Sequence, residues 1–232
     1  MATKTHGVNI LVTAGPTREP IDPVRFLSNR SSGKMGYALA NAFSQAGHAV
    51  LLVSGPTCLD VPDHVDFLPV QSAADMLTAV THHIGRMDIA IFAAAVADYT
   101  PASPAPRKIK KSSHSLTLKL VKTADILGSA RSLLGFTGTL VGFAAETENL
   151  ESHAREKLQH KQCDLIIAND VSKPGLGFDS NSNEVMLVYP NHSLSLPPAT
   201  KHDLAHHLVS SILELHSSRT ATPPANPPKS PS

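Results

Sequence analysis

The chain has 232 residues, 41% of them hydrophobic, with 20 Lys or Arg against 19 Asp or Glu. That length suits one α/β domain with a sizeable core, and the near-balanced charge gives no global reason to expect a nucleic-acid or membrane partner. Two cysteines, Cys58 and Cys163, are too few for a disulfide framework, the start MATKTHG lacks a signal-peptide core, and no apolar run approaches transmembrane length, so the expected location is the cytoplasm.

Residues 8–12 are an apolar run that stops at Thr13-Ala14-Gly15-Pro16-Thr17, which reads as a buried strand. A long polar loop follows with Arg18, Arg25, Asn29, Arg30 and Lys34, more polar equipment than a connection needs. Ser31-Ser32-Gly33 then precedes Tyr37, Leu39, Ala40 and Phe43, an amphipathic helix expected to start at a serine cap. Strands are expected at 49–53, 66–70 and 88–96, with a helix at 73–84. Further strands are expected at 139–144, 165–168 and 184–189, with a polar helix at 150–161 and an amphipathic one at 203–215. This alternation predicts an α/β, Rossmann-like fold: a mainly parallel sheet with helices on both faces.

One stretch breaks the rhythm. Residues 100–106 hold three prolines, and 108–122 alternate apolar and polar residues, which predicts an extended flap over about 99–122. The single domain is expected to fill 1–216, and 217–232, with five prolines, to be a disordered tail.

Ligands of open parallel sheets sit beyond the carboxyl ends of the strands. Here the loops after strands carry TAGPT, SGP, AVADY, AAET and AND, so glycines and polar residues gather on one rim. A strand, a polar loop and a helix start also aim free backbone N–H groups at one spot, which attracts phosphate or carboxylate. Neither G-x-G-x-x-G nor a Walker loop is present: Gly15, Gly33 and Gly36 are wrongly spaced, and Gly33-Lys34 is followed by Met35. The residues themselves therefore predict an anionic ligand at the rim, bound in a non-standard way.

Several side chains have two readings. Lys108, Lys110 and Lys111 are either a solvated face or a lysine lid over a triphosphate. Lys157 and Lys161, at i, i+4 on one helix face, are ordinary surface lysines or converge on one anion. Asn29 is a turn residue or a carboxamide that holds an acyl carbonyl. Asp98 is a helix cap or an acceptor for an amino or sugar hydroxyl group, and Phe143 is core or flanks a base. The 13 histidines show no metalloenzyme pattern; His202 and His206 are i, i+4 without a supporting carboxylate or cysteine set.

Five strings carry a resemblance to a known family: AGPTREPIDPVRFLSNRSSGKMG, AAAVADY at 93–99, KIKK at 108–111, GFAAET at 142–147 and AND at 168–170. In this order, over about 9–215, the chain resembles the phosphopantothenate–cysteine ligases (phosphopantothenoylcysteine synthetases), especially their CTP-using bacterial branch. The resemblance implies that 4′-phosphopantothenate and L-cysteine are joined through an acyl-cytidylate in coenzyme A biosynthesis, with Mg²⁺ beside CTP and a homodimer. It implies Asn29 and Lys108 as catalytic residues, and Asp98, Lys108, Ala124, Asp125, Ile126, Leu127, Phe143, Lys157 and Lys161 as nucleotide contacts. Ala94 and Ala95 correspond to alanines lining the phosphopantothenate site, which Asn29 also serves. Arg25 and the turn Ser31, Ser32, Gly33 are expected phosphate contacts on the helix-start argument.

Thr123-Ala124-Asp125-Ile126 stands where relatives commonly read Asn-Pro-Asp-Ile, which removes a proline preset for a helix start. Bacterial relatives usually carry an upstream flavin-dependent decarboxylase domain, so the chain is expected to be either a freestanding ligase or the second half of a bifunctional protein. Here the chain starts a few residues before its first strand, so no FMN is expected, and the decarboxylase is a possible partner. The competing readings are a nicotinamide-dependent oxidoreductase and a non-catalytic nucleotide-binding module. The missing glycine fingerprint and the missing Tyr-x-x-x-Lys pair weigh against the first: Tyr37, Tyr99 and Tyr189 are followed four places on by Asn41, Ser103 and Ser193.

Overall fold

A computed structural model describes residues 7–111, 114–146, 148–170 and 182–221. In chain order the elements are β1 (Asn9–Ala14), β2 (Arg18–Pro20), β3 (Phe26–Ser28), α1 (Lys34–Gln45), β4 (Ala49–Ser54), β5 (Asp66–Pro69) and α2 (Ala73–His83). Then follow β6 (Ile89–Phe92), β7 (Tyr99–Pro101), β8 (Leu120–Lys122), α3 (Ile126–Ser132), β9 (Thr139–Glu146) and α4 (Leu150–His160). The last four are β10 (Leu165–Asp170), β11 (Ser182–Val188), β12 (Ser193–Thr200) and α5 (Lys201–Ala221).

Apolar runs bounded by turns become strands buried on both sides, as a parallel sheet requires. In β1, Ile10, Val12 and Ala14 enter one core while Leu11 enters the other; Ile89 and Ile91 part from Ala90 and Phe92 of β6 in the same way. The first core packs under α1 and α5, and the second under α2, α3 and α4. The eight-stranded sheet runs β5-β4-β1-β6-β9-β10-β11-β12. Its first six strands are parallel, and β11 and β12 add an antiparallel edge. The parallel part has the 3-2-1-4-5-6 order of a Rossmann sheet, so the Rossmann-like expectation holds. Chain direction across the sheet reverses between β1 and β6.

Several local expectations are corrected. The strand predicted over 88–96 ends at Phe92; beyond it Ala93 N–H still donates to Thr13 O (3.1 Å) and Ala95 N–H to Gly15 O (2.9 Å), so the segment bends across the rim. The predicted serine cap of α1 is Gly33 instead, at φ 77°, and the Ser31 hydroxyl accepts from Gly33 N–H (3.3 Å). Only glycine holds that left-handed turn cheaply; a Cβ there would lie 2.7 Å from Thr57 Cγ2. Of the strand expected within 108–122, only Leu120–Lys122 forms, pairing antiparallel with Tyr99–Pro101; Ser112 and Ser113 lie outside the described residues.

The helix α5 passes the predicted domain end at 216 and runs to Ala221, so 217–221 are helical, and 222–232 lie outside the described residues. Arg219 fastens those last turns by pairing with Asp164 and donating to Thr137 O. Asp164 also accepts from Leu140 N–H (2.8 Å) and Arg131 Nη2 (2.7 Å). Among the described residues no helix is long and apolar enough to cross a membrane.

The loop after β4 lies close under the first one. A Cβ on Gly55 would sit 1.9 Å from Pro16 O and 2.7 Å from Pro16 C, both backbone atoms. Gly55→Ala is therefore expected to destabilise the fold by about 1–3 kcal/mol as an overpacking change. Urea unfolding reads this directly, and an unchanged midpoint would show that the two loops part without cost.

Candidate active site

Where β1 and β6 diverge, their carboxyl ends open onto a cleft of about 790 Å³. The polar first loop and the start of α1 form one wall. There the Asn29 carboxamide donates from Nδ2 to Ala95 O (2.9 Å), and Ser28 Oγ donates to Thr17 O (2.8 Å). Ala94 and Ala95 form the floor, held from below: Ala94 N–H donates to the buried Thr13 hydroxyl (3.3 Å) and Ala97 N–H to the buried Thr17 hydroxyl (2.9 Å). Small side chains leave room here for a ligand, and the buried threonines satisfy the backbone that leaves the sheet.

The opposite wall begins at Thr123, whose hydroxyl donates to Ala97 O (2.6 Å) and whose N–H donates to Asp98 O (2.9 Å). Despite the absent proline, α3 starts at Ile126 with Asp125 as its N-cap, Oδ1 accepting from Gly128 N–H (2.9 Å). The other oxygen of Asp125 pairs with Lys161 at the end of α4. Desolvation works against the Asp125 carboxylate, yet the Lys161 and Gly128 hydrogen bonds and the charges of Lys161 and Lys157 hold its pKa below the ordinary value. Lys157 is half-buried, and its ammonium donates to Phe143 O (2.7 Å) at the end of β9. Burial, opposed by Glu146, pushes the Lys157 pKa below that of an ordinary lysine.

Most residues singled out from sequence converge on this cleft: Asn29, Ser31, Ser32, Gly33, Ala94 and Ala95 on the first wall and floor. Asp98, Ala124, Asp125, Ile126, Leu127, Phe143, Lys157 and Lys161 line the rest. Two do not. Arg25 is paired with Asp22, and Lys108 is exposed on the flap; neither lines the cleft.

Sequence reasoning passed over Thr13, Asn169 and Lys201. Asn169 is 9% exposed, and its carboxamide oxygen has no hydrogen-bond partner among the described residues. A buried acceptor without a donor is costly until a ligand or water supplies one. The string AND was the available signal for it. Lys201, buried at the start of α5, follows two prolines and carried none.

Fold order, switch-point cleft and lysine-bearing wall together define a doubly wound α/β protein with its cleft where such sheets bind ligands. The chain belongs to the DNA/pantothenate metabolism flavoprotein C-terminal domain family, whose model matches residues 5–215. It is 47% identical over 215 residues to the coenzyme A biosynthesis bifunctional protein CoaBC of Bacillus subtilis, covering 90% of this chain and 52% of that protein. To the CoaBC of Escherichia coli strain K12 it is 46% identical over 209 residues, covering 89% and 52%. The chain thus spans about half the length of the curated relatives it matches. Among solved structures it is similar to the C-terminal domain of a CoaBC (TM-score 0.78, 40% identity, 92% of this chain, 99% of that one). A Cab2 variant in complex with phosphopantothenate-cysteine shares the fold (TM-score 0.73, 17% identity, 92% and 88%).

Proposed function

We propose that this chain is a phosphopantothenate–cysteine ligase, joining 4′-phosphopantothenate to L-cysteine for coenzyme A synthesis. A carboxylate oxygen of phosphopantothenate attacks the α-phosphorus of CTP, and the bond to the β-phosphate breaks to release pyrophosphate. The cysteine amine then attacks the acyl carbon of the acyl-cytidylate, loses a proton, and CMP leaves. The observation that carries this reading is the cleft itself. Its Asn29 carboxamide is fixed on the alanine floor, opposite a wall bearing Lys157 and the Lys161–Asp125 pair. The place of the CoaBC relatives in coenzyme A biosynthesis and the phosphopantothenate-cysteine bound by the Cab2 neighbour support it.

Catalysis here is positioning and charge neutralisation. Ala94 and Ala95 leave space for the acyl group, and the Asn29 amide orients its carbonyl. Ser31, Ser32 and Gly33 are assigned to substrate phosphate, whereas Arg25, held by Asp22 outside the cleft, is not. Phe143 and Asp98 flank the nucleoside, while Lys157, Lys161 and the 124–127 segment receive its phosphates. Lys108 reaches the triphosphate from the flap. Mg²⁺ supplies charge neutralisation on the phosphates when bound. Among the described residues no group of three or more His, Cys, Asp or Glu is placed to hold a metal, while Asp98 and Asp125 are the carboxylates lining the cleft, which fits an ion carried chiefly by the triphosphate.

A second copy of the chain is the proposed partner. Val24 (59% exposed), Phe26 (47%), Tyr99 (48%) and Leu120 (41%) lie on the two small hairpins, which touch each other through β2 and β7. Such a patch marks an interaction surface. A phosphopantothenoylcysteine decarboxylase is the proposed companion activity, and the cytoplasm the proposed location.

The deciding experiment measures pyrophosphate release with each nucleoside triphosphate in turn, phosphopantothenate present and cysteine first withheld, then added. Release with CTP before cysteine, and product after it, is expected; no release with any triphosphate would sink the reading. Lys157→Gln is expected to raise the KM for CTP about tenfold or more, since a hydrogen bond from a charged group contributes about 1.5–3 kcal/mol. Steady-state kinetics checks this, and an unchanged KM would return Lys157 to a structural role at Phe143.

A further inference from the structure

Arg25 and Lys108, the two candidates outside the cleft, are linked through a third residue that sequence reasoning did not single out. Asp22 lies in the polar first loop with its carboxylate fully covered, at 0% side-chain exposure. Its Oδ1 accepts from Val24 N–H (2.8 Å) and Arg25 N–H (2.9 Å), which closes the local turn. Its Oδ2 serves another purpose. That oxygen accepts from Arg25 Nε (3.1 Å) and Nη2 (2.5 Å), and from the N–H of Ile109 (3.1 Å), which is 87 residues further along the chain. Arg25 Nη2 also donates to Ile109 O (2.9 Å). Both backbone polar groups of Ile109 are therefore gripped by one ion pair. Nearby, Ala105 N–H donates to Ile21 O (2.9 Å).

A local turn needs Oδ1 alone. Burying the rest of a carboxylate to receive a distant flap residue is costly, and it makes sense where that residue must be fixed. Ile109 follows Lys108 directly, and among the described residues between Lys108 and Lys119 no regular secondary structure forms to fix the lysine otherwise. On the other side of the pair, Asn29 lies four residues beyond Arg25. The Arg25 guanidinium, with the N–H groups of Ile109, Val24 and Arg25, outweighs desolvation and holds the Asp22 carboxyl well below the usual carboxylate range. It is therefore ionised throughout the neutral range.

We propose that Asp22 is a positioning residue for the reaction: through Oδ2 it clamps Arg25 and Ile109 together and so fixes the flap arm that presents Lys108. This rests on the ligase reading for what Lys108 does, and on the loop–flap geometry alone for the clamp. Asp22→Asn is the sharpest probe, because the amide oxygen can still close the turn while the amide nitrogen cannot accept from Ile109 or Arg25. Ile109→Pro removes the same N–H from the flap side and leaves the buried carboxylate untouched.

Two readouts separate the clamp from its consequence. Trypsin cleavage in the flap is expected to quicken about threefold or more in both variants, at Arg107, Lys108, Lys110 and Lys111 in Asp22→Asn and at Arg107, Lys110 and Lys111 in Ile109→Pro, where the proline blocks the cut after Lys108, since proteolysis follows the population of the released arm. Pyrophosphate release before cysteine addition is expected to slow roughly ten- to a hundredfold in Asp22→Asn, the scale of a misplaced catalytic group. Adding Asp22→Asn to the Lys108→Gln variant should slow it no further than Lys108→Gln alone. Unchanged trypsin cleavage in both variants refutes the clamp. Equal slowing in the native and Lys108→Gln backgrounds refutes action through Lys108, because a merely structural role would be additive. If Lys108→Gln alone leaves release unchanged, the catalytic reading of the flap fails, and trypsin cleavage by itself then decides whether the clamp exists.

Discussion

Asn29→Asp is expected to release pyrophosphate at close to the native rate while phosphopantothenoylcysteine fails to accumulate. The Asn29 amide donates to Ala95 O, and an aspartate has no N–H to give. A carboxylate at that place would face the Ala95 carbonyl oxygen and, in the proposed reaction, the oxyanion that forms when the amine adds. Loss of one such donor costs on the order of 10²–10³ in rate, and a misplaced negative charge adds to the loss. The first half-reaction centres on the α-phosphorus, where the lysines act, so it survives. Following pyrophosphate and product in the same reaction reads both halves. Product formed at the native rate would dismiss Asn29 as a loop residue.

Lys108→Gln is expected to slow the first half-reaction by roughly 10²-fold or more, with the fold intact. Its side chain is exposed, so the substitution removes no packing. A carboxylate approaching a triphosphate concentrates negative charge, and a mobile ammonium on an arm can follow that charge as it develops. Glutamine keeps the length and hydrogen-bonding capacity of the side chain but not its charge. Pyrophosphate release without cysteine isolates the step, and an unchanged rate there would assign Lys108 to solvent.

The parallel sheet was legible because buried strands write themselves as short apolar runs: β1, β4 and β10 each fill both cores from one run. The rim was legible because polar loops after those runs must share one edge. Edge structure was harder to see. β12 carries Pro197 and Pro198, tolerated because an edge strand need not donate from every residue, yet they hide the strand from any propensity argument. The cap of α1 was misread because serines precede Gly33, while the decisive constraint is its closeness to Thr57, a long-range fact. Asp22 escaped for the same reason. A short-range Asp-Pro-Val-Arg turn explains its presence in sequence, and its grip on Ile109 exists once the flap folds back. The paired readings of Lys157 and Lys161 are divided by geometry: both reach the cleft, but Lys161 is partly neutralised by Asp125 and Lys157 is desolvated.

Asp164 stands just before β10, at the end of the strands away from the cleft. It takes a guanidinium from α3 on one face of the sheet and another from α5 on the opposite face. Asp88, just before β6, receives Asn9 at the same end (2.7 Å to its N–H). The molecule is thus riveted shut at its base and left open at its top. Mutational tolerance should divide along the strand axis, so that damage near the rivets shows as lost protein and damage near the opening as lost turnover.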